Sequence, residues 1–231
     1  VNAHSKLAEK ITSKLSKVYQ IPFTAEVNKF YSLSAHSQLN AMHGALKTLA
    51  ADLMKIANDL RFLASGPRAG YGELSIPANE PGSSIMPGKV NPTQAEALTM
   101  AVIRVMGNDT TISMASSQGN FEMNVYKPLL ISTFLESTDL LSKTVNSFTE
   151  KFLDGLQANK RHMKELVDQS LMLVTALSPH IGYEESAKIA QKAEKEGITL
   201  RKAALASGKV SAKQFDNWVD AWAMTNHESI D

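Results

Sequence analysis

Ser83, Ser84 and Lys89 place two adjacent hydroxyls and a cation in one stretch, Gly82-Ser83-Ser84-Ile85-Met86-Pro87-Gly88-Lys89-Val90-Asn91-Pro92. Its glycines and prolines punctuate the chain as a mobile loop. Asn91-Pro92-Thr93-Gln94 then reads as a helix start, with Asn91 at the N-cap, Pro92 in the first turn and Gln94 closing a capping box. The free N–H groups and partial positive charge at a helix N-terminus suit a carboxylate or phosphate. A hydroxyl-bearing loop beside an anion site is the arrangement of a catalytic loop for an acidic small molecule. Glu96, about one turn into that helix, reads in its own right as a first-turn carboxylate favoured by the helix dipole.

Composition narrows the setting. The chain has 231 residues, enough for one large domain or two small ones, and a net charge of +1, which creates no global field for nucleic acid or membrane. There are no cysteines, which excludes a disulfide framework and a thiolate metal site. No run approaches the ~18 apolar residues needed to span a bilayer. Val1-Asn2-Ala3-His4 does not read as a signal or transit peptide. A soluble protein of the cytoplasm or an organelle matrix is the expectation.

The loop has to be carried by long helices. Leu39, Met42, Leu46, Leu49, Leu53, Ile56, Leu60 and Leu63 alternate steps of three and four, a heptad seam over about 35–64 on a helix roughly 45 Å long. A second seam (Ala95, Leu98, Val102, Val105, Asp109, Ile112) continues from the loop. A third (Ile131, Phe134, Thr138, Leu141, Val145, Phe148, Phe152) follows a Lys127-Pro128 start. Asp109 interrupts its seam and is either solvated or paired across the bundle. Ala41, Ala45, Ala50 and Ala57 flank the first seam and permit close approach from more than one side, which predicts a bundle shared between subunits. The methionines, largely at helical spacing, read as core filler. Gly66 to Pro92 has no helical period and is long for mere spacing. Beyond about 161 the segments shorten: Glu184–Glu196 stops at Gly197, Thr199–Ser207 stops at Gly208, and Ser211 to Gln214 forms a capping box. The expected fold is all-α: a long-helix bundle over 1–160 carrying loop 82–92, then a small helical domain over 161–231.

The loop resembles the signature of the fumarase/aspartase superfamily. Ser65-Gly66-Pro67-Arg68, Pro92-Thr93-Gln94, Asn124 to Pro128, Ser170 to Leu177 and Pro179 to Tyr183 make the chain similar to class II fumarases. Aspartate ammonia-lyases typically carry Ala at the place of Gly88 and differ around Phe121–Pro128 and Leu173–Gly182. The resemblance implies reversible hydration of fumarate to (S)-malate by anti addition and elimination through an aci-carboxylate, with no metal and no organic cofactor. It implies Ser83 as the base, with Ser84, Lys89, Val90 and Asn91 as substrate contacts. It also implies Glu96 as the orienting partner of a catalytic histidine, and a homotetramer whose active sites are shared between subunits.

One departure accompanies the resemblance. In relatives the catalytic histidine lies in a Thr-His motif well upstream of the loop, and none of the six histidines here occupies such a motif. The chain therefore reads as the C-terminal half of a fumarase. His36 and His43, seven residues apart, read as packed or subunit-contact residues rather than a metal pair. His180 reads as a structural loop residue, and His4, His162 and His227 have no clustered partner. Aspartate ammonia-lyase stays open because Asn108-Asp109-Thr110-Thr111 resembles that relative more. A non-catalytic assembly half is the rival of a different class. A helix-turn-helix reading of Thr199–Trp218 is weakest, since 184–216 holds seven Lys/Arg against five Asp/Glu.

Overall fold

The computed structural model describes residues 2–225; Val1 and 226–231, which include His227, lie outside them. The all-α expectation holds. In chain order the elements are α1 (Leu7–Tyr19), α2 (Lys29–Ser34), α3 (Ser37–Leu63), β1 (Leu74–Ser75), α4 (Thr93–Ser116) and α5 (Lys127–Phe148). A π-helical turn (Thr149–Leu153) extends α5, and β2 (Gln157–Ala158), α6 (Lys160–Gln169), α7 (Ser178–Ile181), α8 (Tyr183–Glu196), α9 (Leu200–Ala206) and α10 (Ala212–Trp218) follow. β1 and β2 form a short antiparallel pair, Leu74 opposite Ala158. None of these helices is long and apolar enough to cross a membrane. The chain divides into two compact units, Val1–Arg61 with Pro77–Gly155, and Phe62–Ile76 with Leu156–Asp231.

In the first unit, α4 buries every residue of its seam, Ala95, Leu98, Val102, Val105, Asp109 and Ile112. α5 begins at Lys127 with Pro128 in its first turn, where the missing N–H of proline is no loss. It buries Phe134, Leu141 and Phe148, and Phe148 stacks on Phe152 of the π turn at 4.8 Å. Ile131 is exposed and Leu130 takes the inward place instead.

The first seam needs a larger correction. α3 buries His43, Ala50 and Ala57, seven residues apart, whereas Met42, Leu49 and Ile56, each one position earlier, are exposed. The line that α3 buries is thus made of small and polar side chains, not of its leucines. Leu39 and Leu46 reach the cluster of Ile112, Ala115, Leu130 and Phe134 from the flank. Of the expected close-approach alanines, Ala50 and Ala57 are buried while Ala41 and Ala45 are exposed. Seven of the ten methionines are exposed, so most do not fill this chain's own core.

What joins the three helices at mid-length is polar. His43, fully buried, places Nδ1 3.0 Å from Asp109 Oδ1 and Nε2 2.8 Å from Ser137 Oγ. Lys47 donates to the other oxygen of Asp109. Asn108 donates to both Ser137 Oγ and Glu136, at 3.0 Å each, and Arg104 holds Glu136 through two hydrogen bonds. Asp109 is therefore paired across the bundle. Asn40 with Ser113 and His43 with Asp109 run in opposite chain directions, which makes α3 antiparallel to α4. Likewise α4 is antiparallel to α5, since beyond the Arg104–Glu136 contact Ile112 and Ala115 meet Leu130 and Phe134.

The second unit follows the punctuation read from the sequence. α8 stops at Gly197 in the left-handed region (φ 60°), Thr199 caps α9, and Ser211 with Gln214 closes the capping box of α10. Leu177, Ile189, Ala193, Leu200, Ala203, Ala204, Val210 and Phe215 form its core. His180 is not in a loop: it lies in α7 with its ring stacked on Trp218 at 4.0 Å. His162 does have partners, since Nε2 lies 2.8 Å from the Tyr71 carbonyl and therefore carries the proton, and Glu165 is on its other side.

Candidate active site

Loop 82–92 closes on itself. Gly82 N–H donates to the Lys89 carbonyl at 3.1 Å, and Asn91 Nδ2 donates to the Gly82 carbonyl at 2.7 Å. A Cβ on residue 82 would stand 2.1 Å from the Lys89 carbonyl oxygen, so the two arms approach this closely only because that residue is glycine. Gly88 turns the tip at φ +80°.

Within the loop, Ser83 Oγ accepts two backbone hydrogen bonds, from Ile85 N–H and Met86 N–H, both at 3.2 Å. Both donors point at the oxygen on which negative charge would develop if the hydroxyl lost its proton. Ser83 is half-buried, whereas Ser84, Lys89 and Val90 are exposed. Among the described residues, the Ser84 hydroxyl and the Lys89 ammonium have no hydrogen-bond or ion-pair partner. Asn91 commits one amide hydrogen to the loop and keeps the other, with its Oδ1, for a further contact.

The helix start departs from the expected one. Pro92, not Asn91, occupies the N-cap, α4 begins at Thr93, and no side chain caps it. Asn91 is turned back to the loop, and Gln94 accepts from Asn79 Nδ2 at 3.1 Å, so no capping box forms. The first turn of a 24-residue helix is consequently left without a side-chain cap beside the loop. Glu96 is half-buried in that turn, and its carboxylate has no partner among the described residues. No three His, Asp or Glu side chains among those residues converge as a metal site.

Comparison with known proteins places this geometry. A lyase family model matches residues 1–107 and a fumarase C C-terminus model matches 173–226. The class II fumarate hydratase of Listeria monocytogenes serotype 4b is 57% identical over 98% of this chain and 50% of its own length. Among solved structures, the class II fumarase of Schistosoma mansoni superposes with a TM-score of 0.92 at 40% identity, over 99% of this chain and 51% of that one. A fumarate lyase:delta crystallin from Brucella melitensis gives 0.90 at 36% identity, over 97% and 48%. The chain belongs to the class II fumarase family. It spans about half the length of the curated relatives it matches.

Sequence reasoning missed the roots of the fumarase-like loop. Thr93 donates to the Glu80 carboxylate, and Asn79 Nδ2 reaches both Gln94 and the Lys151 carbonyl. No periodicity marks contacts made from an irregular segment. The Asn79–Glu80 pair just before the loop was the only visible cue. Gly82→Ala should push the two loop arms apart, break the Gly82 N–H bond to the Lys89 carbonyl and speed amide hydrogen exchange across the loop. The thermal midpoint should stay unchanged, because the loop tip 84–90 is exposed; exchange and circular dichroism melting on one preparation check both.

Proposed function

We propose that the chain supplies the catalytic loop of a fumarate hydratase, adding water to fumarate to give (S)-malate. The observation that carries the reading is the pair of amides on Ser83 Oγ. A neutral hydroxyl is too weak a base for a proton next to a carboxylate. Two N–H donors stabilise the alkoxide that would act, and the exposed Lys89 ammonium adds positive charge nearby.

In the malate-to-fumarate direction, Ser83 takes the proton from the carbon beside one carboxylate. The charge moves into that carboxylate as an aci-carboxylate, and hydroxide departs from the neighbouring carbon. Lys89, the spare hydrogen of Asn91 and the uncapped start of α4 are the positive groups suited to hold it, with Ser84 and Val90 lining the substrate. Glu96, unpartnered here, orients the histidine that serves the departing hydroxyl, and that histidine comes from another polypeptide segment.

The same proposal includes a homotetramer. Met42, Leu49 and Ile56 on α3 and Met100, Ile103 and Met114 on α4 are apolar and exposed, as a bundle completed by further subunits requires. It also includes the central domain 1–160, the small domain 161–231 and a cytoplasmic or mitochondrial-matrix setting. Aspartate ammonia-lyase loses its support, because Asn108 and Asp109 bond within the bundle and report packing rather than substrate.

The test mixes the chain with the amino-terminal half of the Listeria monocytogenes relative. Loss of fumarate absorbance with malate formation, and no ammonia from aspartate, is expected. Ammonia release would move the assignment to the lyase, and a co-purifying but inert mixture would leave an assembly half.

A further inference from the structure

Two side chains fix the amino-terminal arm of the loop: Glu80 accepts from Thr93 at the start of α4, and the Asn79 amide reaches two separate elements. Asn79 Nδ2 donates 2.6 Å to the carbonyl of Lys151 and 3.1 Å to Oε1 of Gln94. Lys151 lies in the π-helical turn Thr149–Leu153, closed by Asp154 N–H donating to the Thr149 carbonyl. Such turns are uncommon in helices and recur at functional sites. Gln94 lies in the first turn of α4, where a capping glutamine would have bonded its own helix. Both hydrogens of a single amide thus tie the segment before Gly82 to two rigid elements. The carboxy-terminal arm needs no such tie, because it runs directly into α4.

We infer that Asn79 is a positioning residue for the loop, holding the arm that carries Ser83 while the tip stays free to close. The inference rests on the fumarase reading for its catalytic consequence and on these hydrogen bonds for the tether itself. Donation is the essential property: Asn79 gives hydrogens to two oxygens, and an oxygen of the same shape in its place would face a carbonyl oxygen and a second acceptor. Asn79 is exposed, so packing does not enter.

Asn79→Asp keeps the shape and removes the donor, and Asn79→Ala removes both. Amide hydrogen exchange on the chain itself reads the tether without any turnover. Both variants should speed exchange across 80–91 by about tenfold or more, leaving α4 beyond Val102 and the thermal midpoint unchanged. In the assembly with the amino-terminal half, kcat should fall about tenfold with KM within about twofold. Parent-like exchange in both variants would overturn the tether. Faster exchange with unchanged kcat would overturn the positioning role. Exchange decides the tether even where the parent assembly hydrates nothing, a result that bears on the fumarase reading instead.

Discussion

Ser83→Ala is expected to lower fumarate hydration by about 10²–10⁴-fold, the range that loss of a general base produces. The oxygen removed is the one that accepts from Ile85 and Met86 at 3.2 Å. The loop should nonetheless keep its stem, because the Gly82–Lys89 and Asn91–Gly82 hydrogen bonds do not involve the hydroxyl. Helical content and assembly size should therefore match the parent. Ser84→Ala removes a neighbouring hydroxyl that accepts no loop amide, so its effect should be smaller and appear mainly in KM. Near-parental kcat in Ser83→Ala would remove the base assignment.

Asp109→Leu should destabilise the bundle markedly. It leaves His43, fully buried, with one ring nitrogen unpartnered and takes away the carboxylate held by Lys47. Stranding a buried polar group in this way amounts to about 1–3 kcal/mol, which lowers the thermal midpoint by roughly 2–12 °C in a chain of this size. Replacing both partners, His43→Leu with Asp109→Leu, should recover most of the loss, because no buried polar group is then stranded. Ser137 keeps its donor Asn108 and donates to the Thr133 carbonyl.

A pH signature accompanies the pair. Burial pushes the Asp109 pKa upward, but hydrogen bonds and charge from Lys47 and His43 outweigh it and leave the carboxyl below its usual value of 3.8. A folded-state pKa below the unfolded one contributes stability that is present above the unfolded value and lost as pH falls through the folded value. The parent should therefore lose stability relative to Asp109→Leu below about pH 4, and chemical denaturation at pH 3 and pH 6 measures it. An equal difference at both pH values would contradict the pairing.

Much of the fold was legible because helix signals are local. Gly197, Thr199, Ser211 with Gln214, and Pro128 each act on their own turn, and each does so here. The α4 seam was legible because a helix packed along its length must repeat. The α3 seam was not, because its leucines repeat as regularly as its His43–Ala50–Ala57 line and periodicity alone does not say which stripe faces α4. The small and polar line is the one that is buried. The loop residues Ser83, Ser84, Lys89 and Asn91 could be found from type and spacing. Their supports could not: Asn91 bonds Gly82 rather than capping α4, and Gln94 bonds Asn79, choices set by contacts between separate segments.

The claim that Ser83 removes the proton beside the carboxylate is tested most directly by running malate with the assembled chain in deuterium oxide and following deuterium at C3 by proton NMR. The parent assembly should place one deuterium stereospecifically at that carbon, and Ser83→Ala should place none on the same timescale. Incorporation by Ser83→Ala at the parent rate would contradict the account.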